Sequence, residues 1–221
     1  MPVGAISPAN FFIMLKSFLL FVTITLASNL FSQIPTTLVI KKESSLVING
    51  TTNISKFKLT LEGKDFPGPR FIFNTSVEKS KITLSQNKIS LSVDKFHSGN
   101  ILALNGFLKL IKAKEFPLLD IELKDINIFD NNADNLISSA NPGTNIRGTA
   151  SVVLTLTGLS KSYTIPFKAT KNGEELIGEG EIRLTIRDFG LTPPVEMMGL
   201  VKISEWIDIS VKLNSSVTNN R

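Results

Sequence analysis

The chain has 221 residues, a formal net charge of +5, one histidine and no cysteine. Without cysteine there can be no disulfide, thiol nucleophile or lipoprotein anchor, and a single histidine cannot supply a cluster of imidazole metal ligands. The lysines alternate with apolar residues instead of forming blocks, which describes a solvated exterior and argues against a nucleic-acid face.

Residues 14–33, MLKSFLLFVTITLASNLFSQ, have the layout of a secretory signal peptide. A short basic start is followed by an apolar run too short for a comfortable membrane span, then by small and polar residues. Met14, with Lys16 close behind, is a better initiator than Met1, and small Ser32 places cleavage before Gln33. The expected organisation is a signal peptide over 1–32, one barrel domain over 33–214 and a flexible tail over 215–221. An uncleaved N-terminal anchor is the competing reading.

From Thr37 onward the dominant period is two, the pattern of half-buried strands. Phe57, Leu59 and Leu61 alternate with polar residues, as do Ile89, Leu91 and Val93. The same holds for Ile182, Leu184 and Ile186, and for Ile207, Ile209, Val211 and Leu213. Around Leu119, Ile121 and Leu123 the phase slips at Lys124-Asp125, which predicts a β-bulge. Turn residues separate these runs at Asn49-Gly50, Gly63 to Gly68, Gly158 and Asn172-Gly173, the last predicting a two-residue hairpin. Ser98–Lys114 breaks the period. Ile101, Leu104, Leu108 and Ile111 fall three or four apart, which predicts an amphipathic helix capped by Ser98 and stopped by Pro117. Asn131–Gly143 reads as a polar loop.

Long alternating strands, tight turns and one helix define an all-β chain with one short helix, an antiparallel barrel of about eight strands. Closure removes the exposed edges such strands would otherwise present. A ring of that size is either filled by side chains or holds one small ligand, and alternation does not choose between the two.

Catalytic signatures are missing. There is no Gly-x-Ser-x-Gly elbow, no nucleotide-binding glycine loop and no metal set. Asp120 and Glu122 fall on the wet face opposite Leu119, Ile121 and Leu123, and Asp125 lies just beyond, so solvation accounts for these carboxylates. His97 reads as a surface or capping residue. Binding is therefore expected ahead of catalysis, with no cofactor.

In the segment DFGLTPPVEMMGLVK, residues 188–202, Pro193-Pro194 interrupts the strand pattern, so residues 195–201 are expected to cross one end of the barrel outside the ladder. Met197 and Met198 have the soft, adaptable side chains that suit an intermittently occupied tunnel.

Four stretches, in order, resemble the YceI-like family of exported bacterial lipid-binding proteins. They are SSLVINGTTNISKF (44–57), LNGFLKLIKAKEFPLLDIEL (104–123), GTASVVLTLTGLSKSYTIPF (148–167) and IRDFGLTPPVEMMGLVKISEWIDISVKL (186–213). The resemblance implies a lipocalin-like barrel whose interior holds a polyisoprenoid chain, such as a quinone tail, in the periplasm or outside the cell. The chain departs from the family at Ile54-Ser55-Lys56-Phe57, where a His-Asp-Trp-like group is usual, and in the proline-rich tract Phe66–Phe73.

The expected partner is thus a hydrophobic small molecule, an isoprenoid or fatty-acid-like lipid, with no nucleic acid and no stable membrane insertion once the signal is removed. Association into a homodimer stays open. The expected lining is the inward set Phe57, Leu59, Phe71, Phe73, Leu91, Val93, Ile121, Leu123, Ile182, Leu184, Ile207 and Ile209, with Met197 and Met198 at one end. Ordinary core packing is the alternative for each. Two other functions remain: a filled structural or stress-protective barrel, and a lipid-acting enzyme using Asp188 or Glu196 at the mouth.

Overall fold

The backbone N–H and C=O groups of every strand need partners along both edges, and the chain meets that need by closing a ring. The computed structural model describes residues 33–68, 70–78, 80–85, 87–129, 143–196 and 201–219. The expected signal peptide, residues 1–32, lies outside these, as do Met197 and Met198 and nearly all of the polar loop.

The strands in chain order are β1 (Ile34–Ile40), β2 (Ser45–Thr52), β3 (Lys56–Glu62), β4 (Arg70–Glu78), β5 (Lys81–Ser85) and β6 (Ile89–Ser92). After helix α1 (Ile101–Leu110) come β7 (Leu118–Ile128), β8 (Thr144–Leu156), β9 (Leu159–Asn172), β10 (Glu175–Thr185), β11 (Val195–Glu196) and β12 (Val201–Asn219). All pairings between these strands are antiparallel, and β1–β4–β5–β7–β8–β9–β10–β12 forms a hydrogen-bonded ring of eight closed by β12 onto β1.

Twelve segments reduce to eight long strands and one short hairpin arm, because three of the long strands are kinked. β1 and β2 lie end to end along β12, Ile40 opposite Ser215 and Ser45 opposite Lys212. β3 and β4 together face β2 and β1, and β5 and β6 together face β7. The kinks are stitched together. Ser44 Oγ donates to Asn214 O at 2.9 Å, and Gly63 N donates to Ser44 O at 2.7 Å. Gly63 has to be glycine, since a Cβ there would lie 2.3 Å from Lys41 O.

The ring is uneven. β4 and β5 pair, but their extensions β3 and β6 part, and the Thr60–His97 bridge closes the seam with bonds of 2.8 and 2.9 Å. Ser98 Oγ adds a bond to Lys58 O at 2.6 Å. Leu59 and Leu61 from one side of the seam pack with Leu91 and Phe96 from the other, and Leu104 and Phe107 of α1 join them. The Phe96 and Phe107 rings meet edge to face at 5.6 Å.

The predicted bulge is present, with the β7–β8 register shifting between Leu123 and Asp125. Five local expectations need correction. Asn100, not Ser98, caps the helix, accepting from Leu102 N at 3.1 Å and Ala103 N at 3.2 Å. The helix ends at Leu110, short of Lys114, because Lys112 turns left-handed at φ 51° and Ala113 N bonds back to Leu108 O, a Schellman turn. The expected tail is ladder as far as Asn219: residues 215–219 pair with β1, and Ser215 is buried. The residues after Pro193-Pro194 stay off the barrel ring but are not without pairing, since Val195 and Glu196 form a short ladder of their own with Lys202 and Val201. The β9–β10 hairpin turns at Gly173-Glu174, one residue later than the sequence suggests, with Gly173 at φ 60°.

Gly63→Ala should lower stability by about 2 kcal/mol, because backbone oxygen cannot yield to a Cβ as a side chain can. A thermal melt should show a drop of roughly 4–8 °C. An unchanged melting temperature would mean that the stitched kinks are not tightly packed.

Candidate functional site: an apolar cavity

The interior is not filled. A cavity of about 560 Å³ runs within the barrel, bounded by inward residues of β1–β3, β6–β10 and β12 and by α1. Its space comes from small residues where a filled barrel would carry large ones. Gly178 and Gly180 alternate inward along β10, and Ala150 and Ala169 take inward places on β8 and β9. A Cβ added at Gly178 would find nothing closer than 3.9 Å, so the room there is real.

One end meets solvent. Ser55, Asn100 and Leu102 line the cavity while being exposed themselves, which places the mouth among the β2–β3 turn, the start of α1 and the entry to β12. Thr52, Pro194, Val201 and Ser204 complete that rim. The other end is polar and buried. The Thr36 and Thr75 hydroxyls lie 3.0 Å apart and within reach of Ile34 O. Lys171 shares the inward face of β9 with Phe167 and Ala169 and is buried. Burial lowers its pKa from the ordinary 10.5, with the nearby Glu174 charge opposing.

The segment Asp188-Phe189-Gly190 narrows the open end. Ile186–Phe189 forms a 3-10 turn, held by Thr185 Oγ1 accepting from Arg187 N and by Gly190 at φ 69°. Phe189 is buried and, with Ile186 and Leu191, reaches the cavity. Thr157 Oγ1 donates to Phe189 O at 2.8 Å, and Tyr163 Oη donates to Asp188 Oδ2 at 2.9 Å. Asp188, the acid considered for a catalytic role, therefore fixes this turn.

Among the expected lining residues, Phe57, Leu59, Val93, Ile121, Leu123, Ile182, Leu184, Ile207 and Ile209 border the cavity. Phe71, Phe73 and Leu91 do not. Phe73 packs at the polar end against Ile82 and Leu84, and Leu91 is wholly buried in the seam cluster. Ile101, expected on the buried helix stripe, is exposed. The helix turns Ala103, Gly106 and Phe107 to the cavity instead. Sequence reasoning passed over β8 and β9. Ile165 and Phe167 alternate plainly, but Val152-Val153 blurs the phase on β8.

The carboxylates of β7 are on the outer face and engaged. Asp120 accepts from Ser90 Oγ at 2.6 Å and faces Lys88 at 2.7 Å. Partial burial would raise its pKa, and these two donors outweigh that and lower it. Asp125 accepts from Ser151 and Asn127, and Glu122 pairs with Lys124. Glu62, Asp65 and His97 bring one potential metal donor each within 4.8 Å of one another. Lys64 Nζ lies 2.6 Å from Glu62, so that group already has a cation.

The fold matches solved structures. A polyisoprenoid-binding domain from Saccharophagus degradans, implicated in plant cell wall breakdown, aligns at 9% identity over 84% of this chain and 99% of that chain, TM-score 0.58. Burkholderia cenocepacia BcnA aligns at 14% identity over 81% of this chain and 99% of that chain, TM-score 0.53. A mutant Campylobacter jejuni YceI protein with a monobromobimane guest aligns more loosely, at 14% identity over 67% and 80%, TM-score 0.46. No family model and no curated protein matches the sequence. The first two likenesses show the fold, a lipocalin-like antiparallel barrel of the kind the sequence resemblance implies.

Tyr163 is the sole tyrosine, so phenolate absorbance reads this site alone. Burial first, then the Asp188 carboxylate, raise its pKa well above the ordinary 10.0. The folded protein should ionise at a higher pH than the denatured chain, and Asp188→Asn should bring the two closer. Because the folded pKa is raised, the stabilisation is complete below pH 10 and is lost as pH climbs through the folded value. Coincident titrations of folded and denatured chain would remove the Tyr163–Asp188 contact from the account.

Proposed function

We propose that the protein binds a polyisoprenoid or similar long-chain lipid in the barrel and stores or carries it, exported and without chemical change. The single observation behind this is the apolar cavity, kept open by inward glycine and alanine and reaching solvent at one end. A hydrocarbon chain in such a space gains about 0.8 kcal/mol per buried methylene and asks for few polar partners. The Saccharophagus fold neighbour is described as polyisoprenoid-binding, which favours this cargo class. The signal-like N-terminal segment favours export to the periplasm or beyond. Among the described residues no helix is long and apolar enough to cross a membrane. Met197 and Met198 lie outside the described residues, and their part as adaptable ligand contacts stays a proposal from the sequence.

Organic extracts of the purified protein, read by mass spectrometry, should contain one long-chain lipid in stoichiometric amount. Gly178→Leu should fill part of the cavity, leave the lipid-free melt unchanged or higher, and weaken lipid uptake at least about tenfold, as the cargo loses roughly two methylenes of burial. Unimpaired uptake by this variant would put the lipid outside the barrel. A chemically altered lipid after incubation would favour an enzyme.

A further inference from the structure

We propose that the open end of the barrel docks on an anionic lipid bilayer, with Ile54 and Ile101 entering the head-group layer on either side of the mouth. The inference rests on the lipid-cargo reading for its purpose. A long-chain lipid does not cross water freely and has to be collected from, or delivered to, a membrane.

Ile54 is 71% exposed, Ile101 61% and Leu102 76%. These apolar tips are held rigidly. Thr52 Oγ1 accepts from Ile54 N at 3.2 Å and Ser55 N at 2.8 Å, while Asn53 Oδ1 accepts from Lys202 N at 2.9 Å. Across the mouth, the Asn100 cap fixes the first turn of α1 and so the display of Ile101 and Leu102. Thr52, Ser55 and Leu102 line the cavity, so the tips stand directly beside its opening. A large apolar group held in water at a portal is costly unless something covers it.

Charge identifies the cover. Exposed Lys56, Lys58 and Lys202 stand beside Ile54, and exposed Lys109, Lys112 and Lys114 lie on α1 and the segment after it. None of the six makes an ion pair among the described residues. Apolar tips ringed by unpaired lysines fit the head groups of an anionic bilayer, where each lysine near the surface adds a favourable increment. The opposite end also exposes apolar groups, Phe129 and Ile177, but there the exposed carboxylates Glu78 and Glu174 occupy the turns, while Glu175 pairs with Lys41.

Trp206, the only tryptophan, is half exposed in an outer groove with Thr51, Lys56 and Ser204 and reports on this end. The full chain and its variants would be mixed with vesicles of phosphatidylcholine alone or with added phosphatidylglycerol, then read by co-sedimentation and Trp206 emission. Binding should prefer the anionic vesicles and fall with salt. Ile54→Ser/Ile101→Ser and Lys56→Ser/Lys202→Ser should each weaken it about tenfold, with thermal melts kept as a check on folding. Ile177→Ser at the far end should leave it unchanged. Equal binding to both vesicle types, mouth variants that bind as well as the parent, or a far-end variant that weakens binding equally would each overturn the proposal. So would a dimer in light scattering that Ile54→Ser/Ile101→Ser dissolves, since a second copy would then be the cover. Uptake of a fluorescent fatty acid without vesicles is read separately: vesicle binding without uptake keeps the docking face and removes the cargo reading.

Discussion

The ladder between β1 and β12 is the contact on which the barrel depends. With no disulfide available, an eight-stranded sheet of this length either closes or leaves two edges of unpaired backbone groups. The last five residues of β12 supply the closure, Ser215 to Asn219 against Ile40 to Thr36. Residues that look like a frayed end in sequence are thus the lock of the ring. Their polar character, SSVTN, has a physical reason: this is the end where the cavity gives way to buried hydroxyls and Lys171.

Closure also sets the width of the interior, and the inward side chains then decide what the width is for. Large aliphatic residues at Gly178, Ala150 and Ala169 would give a packed core of the ordinary kind. Small residues at these places forgo packing contacts and leave a tunnel. The three kinks serve the same geometry. They let β1–β2, β3–β4 and β5–β6 bend around the volume, and the parting of β3 from β6 widens the open half, which α1 then covers with Phe107 and Leu104.

The architecture was legible in the sequence because period-two alternation is a direct image of inside and outside. The bulge at Lys124-Asp125 and the inward faces of β3, β7, β10 and β12 follow from it. What was not legible depends on contacts between distant residues. Phe71 and Phe73 alternate as well as any pair, yet they sit on the half of β3–β4 that faces the polar end, and only the kink at 63–69 assigns them there. Leu91 points inward but is taken up by the seam. Of the helix stripe, Leu104, Leu108 and Ile111 pack inward as the spacing says, and only Ile101, in the first turn, is left exposed. Asn100 and Lys112 set the helix ends through local hydrogen bonds that several neighbouring residues could equally have made.

The two ends of the barrel divide the physical work. At the buried end, hydroxyls satisfy one another and a lysine is held with its charge disfavoured, so a hydrocarbon chain cannot pass through without stripping polar groups of their partners. At the open end no such barrier exists, and the turn pinned by Tyr163 and Asp188 narrows the passage with Phe189 without closing it. On the lipid-cargo proposal, entry and exit would therefore share one portal. The stretch Ile54-Ser55-Lys56-Phe57, where the sequence departs most from the family it resembles, lies at this rim. On the docking proposal, an apolar tip and a lysine there would let a surface of lipid and a tunnel for lipid meet edge to edge, so that a chain could move between them with little exposure to water.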